Sequence, residues 1–177
     1  PVRRASAVSS ASTILATELA HARFFQRDYE TAEKQFRAAV DFDNRAIPAR
    51  FNHWRVLHQM GRNEEAEGAL DALQKMIPTD YPLLLKCRAR TLHKIGRVEE
   101  AEILYRRLVE NIAFSPMFMA ILAADLGKND DAFKYLNTSL EQRNDYLLHL
   151  SHAPEFDGLR NDPRYAELQN RVLLSKK

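Results

Sequence analysis

Residues 93–102 read HKIGRVEEAE, and residues 58–67, thirty-five positions earlier, read HQMGRNEEAE; seven of the ten positions are identical. The same pattern extends in both directions along the chain. A short turn, an acidic first helical turn, an alanine, and an aromatic residue or leucine four positions later occur as RDYETAEKQF at 27–36, GRNEEAEGAL at 61–70, GRVEEAEILY at 96–105 and GKNDDAFKYL at 127–136. The alanines Ala32, Ala66, Ala101 and Ala132 are 34, 35 and 31 residues apart. Repeats of this length indicate stacked pairs of helices, each pair unable to bury its apolar face alone.

Each repeated residue has a physical reason. Gly61, Gly96 and Gly127 fall where the first helix of a pair must stop, and glycine enters the left-handed region there without a Cβ clash. The first repeat carries Arg27 at that place, which predicts a less relaxed turn. Glu64–Glu65, Glu99–Glu100 and Asp130–Asp131 occupy the first turn of the second helix, where carboxylates oppose the positive end of the macrodipole. The alanines mark a close helix crossing that a larger side chain would hold open. Pro78 and Pro116 lie between repeats, where they end one helix and leave the next free to begin. The repeated EEAE is therefore capping and crossing chemistry, not a pair of catalytic carboxylates.

The composition agrees with a helical protein. Only 5 Gly and 7 Pro among 177 residues argue against a loop-rich β architecture, and 45% hydrophobic residues suffice for a substantial core. A formal net charge of +2 supplies no global field toward nucleic acid or membrane. No run approaches a membrane span. Cys87 is the only cysteine, which excludes an intramolecular disulfide or CxxC motif and favours a reducing, cytoplasmic setting; it reads as a small semi-buried hydrophobe. Residues 1–9 lack periodicity and read as a flexible lead-in, with RRAS at 3–6 matching the pattern of basophilic kinase substrates. From about Ser10 the apolar spacing is helical: Ile14, Leu15, Leu19 and Ala22 share one face, and a second helix from about Tyr29 carries Ala32, Phe36, Ala39 and Val40.

The Gly, Ala, aromatic and Pro spacing resembles the tetratricopeptide repeat. The resemblance covers about 10–143 in four copies, at about 10–44, 47–78, 82–112 and 116–143. The first helices of repeats two to four depart from the family's Trp-to-Gly pattern, and the link into the fourth repeat is four residues short. RNA-binding pentatricopeptide repeats have a similar period, but the Gly-x-x-x-x-Ala turn and the prolines favour the tetratricopeptide family. Residues 144–177 leave the repeat. Within them PEFDGLRNDPRY at 154–165 resembles the ending of many bacterial tetratricopeptide proteins, among them transcription regulators, adenylate cyclases and kinases. Asp162–Pro163 is a helix start, and Phe156 and Leu159 are candidates for the plug that caps the last repeat. The implied fold is all-α, a right-handed α-solenoid of about four helix-turn-helix repeats followed by capping helices.

The resemblance also implies a concave face lined by the first helix of each pair. Projected onto it are Thr17, His21, Phe24 and Phe25 from repeat one, and Phe51, Arg55, His58 and Gln59 from repeat two. Repeat three supplies Leu83, Lys86, Arg90, His93 and Lys94, and repeat four Met117, Ile121 and Asp125. The expected binding set is His21, Phe24, Phe25, Phe51, Arg55, His58, Lys86, Arg90, His93 and Lys94. Lys86 and Arg90 stand one helical turn apart. In chaperone-binding members of the family such a pair clamps the terminal carboxylates of an acidic peptide, but Thr17, His21 and Arg55 stand where that clamp needs Lys and Asn, so a looser acidic-peptide or carboxylate site is the expectation. The competing reading makes these cations solvated or ion-paired within the array. His58 and His93, one repeat apart, form a candidate pH-sensitive patch.

Catalytic and metal signatures are weak. There is no Ser-His-Asp order, phosphate loop or dinucleotide fingerprint. His149 and His152 have i, i+3 spacing but no evident third and fourth ligands, so packing is favoured over metal binding. The sequence thus predicts a non-enzymatic protein-interaction scaffold with no cofactor, no metal and no catalytic residue. Its expected partner is a protein or peptide, acidic or with a free carboxylate. A regulatory or homodimerising region of a bacterial multidomain signalling protein is the alternative, and an RNA-binding solenoid is a weaker one.

Overall fold

Helix reversal at a single left-handed residue organises the backbone. The computed structural model describes residues 16–43, 45–111 and 114–174; among these every regular element is helical and no strand occurs. The lead-in 1–9 with its RRAS, and Ile14 and Leu15, lie outside the described residues. In chain order the helices are α1 (16–25), α2 (Tyr29–Phe42), α3 (Ile47–Met60), α4 (Asn63–Gln74), α5 (Pro82–Lys94), α6 (Val98–Val109), α7 (Pro116–Asp125) and α8 (Asn129–Glu141). Two short 3₁₀ helices follow, Asp145–His149 and Pro154–Leu159, and then α9 (Pro163–Leu174).

Between α3 and α4 Gly61 has φ 74°, between α5 and α6 Gly96 has 85°, and between α7 and α8 Gly127 has 71°. At Gly61 two amides turn back: Gly61 N–H donates to the His58 carbonyl (3.2 Å) and Arg62 N–H to that of Leu57 (3.0 Å). This paired closure satisfies two carbonyls that the helix end leaves open. The same two bonds recur at Gly96 with His93 and Leu92, and at Gly127 with Ala124 and Ala123. Arg27 (φ 67°) makes them between α1 and α2 with Phe24 and Arg23, and Arg143 (φ 52°) makes them after α8 with Leu140 and Ser139. A methyl group at Gly96 would meet nothing within 4 Å, so glycine is there for its dihedral rather than for room.

The residue after each glycine turn has a second task. Arg62 donates two bonds to Glu65 (2.6 and 2.5 Å), and Arg97 two to Glu100 (2.6 and 2.5 Å). These guanidinium bonds hold both exposed carboxyls below their ordinary range. The repeated Gly-Arg-x-Glu-Glu is thus a turn locked to the first turn of the next helix. Repeat one uses Asp28 instead, whose Oδ1 accepts from the Thr31 amide as an N-cap.

The chain divides into two compact units, Pro1–Met76 and Ile77–Lys177. In the first, α2 packs on α3 and α3 on α4. Its core joins Ala20, Phe24, Ala32, Phe36 and Val56, with Phe25, Tyr29 and Met60 against them. Trp54, Leu57, Leu70 and Leu73 are buried in the same unit. In the second, α5 packs on both α6 and α7, α7 on α8, and the second 3₁₀ helix against α7. Phe156 and Leu159 of that 3₁₀ helix are buried, and Tyr165 of α9 donates its hydroxyl to the Leu150 carbonyl. Asp162 accepts from the Arg164 amide at the start of α9 (3.0 Å). Arg164 reaches Asp130 (2.7 Å) and lies over the Phe133 ring (4.2 Å), and Arg171 donates to Asn137 (2.6 Å), fastening α9 to α8. No helix among the described residues is long and apolar enough to cross a membrane.

The turns carry a direct test. A non-glycine residue in the left-handed region costs about 1–2 kcal/mol, partly offset by the lower unfolded-state entropy of a side-chain-bearing residue. Arg27→Gly should therefore raise stability by about 0.5–1 kcal/mol in urea denaturation followed by circular dichroism, and Gly96→Ala should lower it by about 1 kcal/mol. Equal midpoints for wild type and Gly96→Ala would contradict this account of the turn.

Candidate functional site

The candidate residues fall in both units, and each unit builds its own surface. In the first unit Phe24 is fully buried in the core, and Phe51 is also buried. Phe25, half-buried, meets the Phe24 ring edge-on (centroids 5.7 Å). Arg55 of α3 lies over both rings, 4.0 Å from the Phe24 centroid and 5.4 Å from that of Phe25. Stacking on an aromatic face spreads the guanidinium flat. His21 is half-buried against Phe36 (5.3 Å), and its Nε2 has no hydrogen-bond partner among the described residues. Burial lowers the His21 pKa below the usual 6.5; a bond with Asn52 and the Glu18 charge oppose this, and Arg55 adds to it.

His58 is buried, 3% exposed, and stacks on Trp54 with centroids 5.1 Å apart and planes at 23°. Counting back three residues from the left-handed turn within each helix pair gives Phe24, His58, His93 and Ala124. The repeated histidine thus holds the place that the core Phe24 holds in repeat one, and its carbonyl closes the turn.

The second unit answers the question raised by Lys-x-x-x-Arg. Arg90 is 2% exposed, and its Nε donates to Asp125 Oδ2 at 2.5 Å. Burial disfavours the Arg90 charge, but Asp125 and Glu155 outweigh it and the pKa is raised. Glu155, itself buried, accepts from the Tyr146 hydroxyl (3.2 Å). Lys86 is 5% exposed with its ammonium 4.6 Å from the Phe118 ring centroid. Removing one partner of a buried ion pair costs about 3–5 kcal/mol, so an incoming carboxylate would have to displace Asp125 to reach Arg90. Of the cations predicted for this helix, Lys94 is the exposed one; partial burial lowers its pKa, with Asp125 opposing and Arg90 adding to the effect. His93 is half-buried. Met117 and Ile121 are buried, and Asp125 is the partner of Arg90.

One charged cluster in the first unit was not anticipated. Glu33 is 3% exposed and its Oε1 is hydrogen-bonded to His53 Nε2 at 2.9 Å; Arg37 and Arg62 stand 3.8 and 3.9 Å from its oxygens. His53, Arg37 and Arg50 line a cleft of about 380 Å³ with Asp41, Glu65 and Leu57. The signal was in the repeat: Glu33 directly follows Ala32, as Glu67 follows Ala66 and Glu102 follows Ala101. In the second unit Glu102 plays the matching part, pairing with Lys128 (3.0 Å) of the next turn as Glu33 approaches Arg62. At Glu33 and Glu102 the residue after the alanine thus ties one hairpin to the turn of the next.

Compared with known proteins, the chain matches no family model and no curated protein sequence.

The depressed His21 pKa has a consequence for stability. A histidine whose folded pKa lies below its unfolded value of 6.5 contributes fully above that pH, and the contribution is lost as the pH falls from 6.5 through the folded pKa. Thermal melts at pH 7.5 and 5.5 should show a drop at the lower pH that is smaller in His21→Asn. An identical drop in both proteins would contradict the assignment.

Proposed function

We propose that the chain is a non-enzymatic protein-interaction module of the tetratricopeptide type, its helix pairs stacked as a right-handed α-solenoid. The observation that carries this reading is the recurrence of one helical hairpin at near-constant spacing, each closed by the same pair of turn amides. Such arrays present the first helix of each pair to a ligand, and here those helices carry a half-buried cation in the first unit and an exposed one in the second. In the first unit Arg55 lies flat on Phe24 and Phe25 beside His21. In the second unit Lys94 projects from the end of α5. A ligand carboxylate that bonds to Arg55 gains a charge-assisted hydrogen bond worth about 1.5–3 kcal/mol, and Phe25 offers apolar contact next to it. The proposed partner is a protein or peptide bearing an acidic side chain or a free C-terminus. Arg90 is left out of the recognition set, because its charge is matched by Asp125 within the unit.

The reading is tested with charge-reversed variants at Arg55 and Lys94, since Arg90→Ala would perturb the fold as well as the surface. Proteins captured by the wild type should be lost, or lost at lower salt, with Arg55→Glu while circular dichroism melting stays within a few degrees. Lys94→Glu should act in the same direction more weakly. The same proteins retained with the same salt dependence in both variants would contradict the proposal.

A further inference from the structure

The structure assigns a transition-metal site to His149 and His152, at the surface of the segment that follows α8. The two imidazoles stand with His149 Nδ1 3.1 Å from His152 Nε2 and ring planes at 82°. Two nitrogens bound to one tetrahedral zinc-like ion, each at about 2.0–2.1 Å, lie about 3.3 Å apart. The pair is therefore already at the separation of one edge of a coordination tetrahedron. With no ion, one ring donates its N–H to the other; an ion displaces that proton and sits off the line between the two nitrogens, about 2.0–2.1 Å from each, with a small turn of each ring toward it.

The surroundings fix this arrangement. The 3₁₀ conformation of Asp145–His149, with i, i+3 side chains eclipsed, carries on into a turn in which the His152 and Ala153 amides both donate to the His149 carbonyl (3.0 and 2.7 Å). Ser151 Oγ bonds His152 Nδ1 at 3.0 Å, which engages the far nitrogen and leaves Nε2 directed at His149. A partner on the second nitrogen is how metal-ligating histidines are oriented. The Tyr146 ring meets His149 edge-on at 5.7 Å. Arg160 donates to the Ser151 carbonyl (2.7 Å) and so holds the backbone between the two rings, while Asp157 (2.8 Å) offsets its charge. His152 and Ser151 are exposed, so an ion reaches the pair from solvent.

Among the described residues no group of three or more His, Cys, Asp or Glu converges on one point. The site is thus a two-histidine chelate whose remaining positions are filled by water. Neutral imidazole suits zinc, nickel and copper and discriminates against magnesium and calcium, which prefer oxygen. A site with two protein ligands is an exchangeable one, suited to sensing or transient loading rather than to permanent structural metal.

Isothermal titration of the full chain with ZnCl₂, NiCl₂ and MgCl₂ tests the assignment. Zinc and nickel should bind at one ion per chain with micromolar affinity, and magnesium should give no binding heat. His149→Ala and His152→Ala should each weaken zinc by at least about tenfold, whereas His53→Ala should not. His149→Gln, which keeps the side chain polar, supplies a second variant if His149→Ala melts early. Absence of zinc binding to the wild type, or equal affinity in the wild type and the His149 and His152 variants, would overturn the site.

Discussion

The tightest constraint on this chain is the space for one methyl group where the helices of a pair cross. Ala32, Ala66, Ala101 and Ala132 are each fully buried. A hairpin closed by a single left-handed residue brings its two helices together within a few residues of the turn, so the crossing must be narrow. The consequences run outward from there. The turn residue needs positive φ, met by glycine three times and by Arg27 once. The position four after the alanine, one helical turn further along the same face, is filled by Phe36, Leu70, Tyr105 and Leu136 and is buried in every pair. In two of the pairs the residue directly after the alanine reaches the next pair, where Glu33 and Glu102 meet basic residues of the following turn.

This order of dependence explains how much was legible in the sequence. Glycine dihedrals, first-turn carboxylates, the alanines and the prolines are local devices whose effect does not depend on distant residues. They mark the helices: α2 begins at Tyr29, Pro116 opens α7, and Pro163 opens α9. The destinations of polar side chains on the first helices were not legible, because they depend on what packs against each helix. Lys-x-x-x-Arg looks like a solvated face when α5 is read alone. With α6 on one side and α7 on another, most of the circumference of α5 is covered, and Lys86, Arg90 and Thr91 are covered with it. The partner of Arg90 lies 35 residues away.

The histidines divide along the same line. His58 and His93 recur at the place held by Phe24, and an aromatic ring there is a packing element as well as a polar one. His149 and His152 lie outside the repeat, where no periodic pattern fixes their geometry, and their spacing alone carries little weight. Their facing nitrogens depend on a 3₁₀ turn and on the Ser151 and Arg160 contacts, none of which a helical reading of the segment supplies.

The central claim is that the repeated alanine, rather than the repeated charge around it, sets the architecture. Urea denaturation of Ala101→Leu tests this most directly, with Glu99→Gln as the companion change two positions away at an exposed site. The account predicts that leucine at 101 lowers stability by about 1–3 kcal/mol, the range for overpacking a filled core, while Glu99→Gln shifts it by no more than about 0.5 kcal/mol. Ala101→Leu as stable as the wild type would contradict the close crossing and the dependence of the hairpin on it.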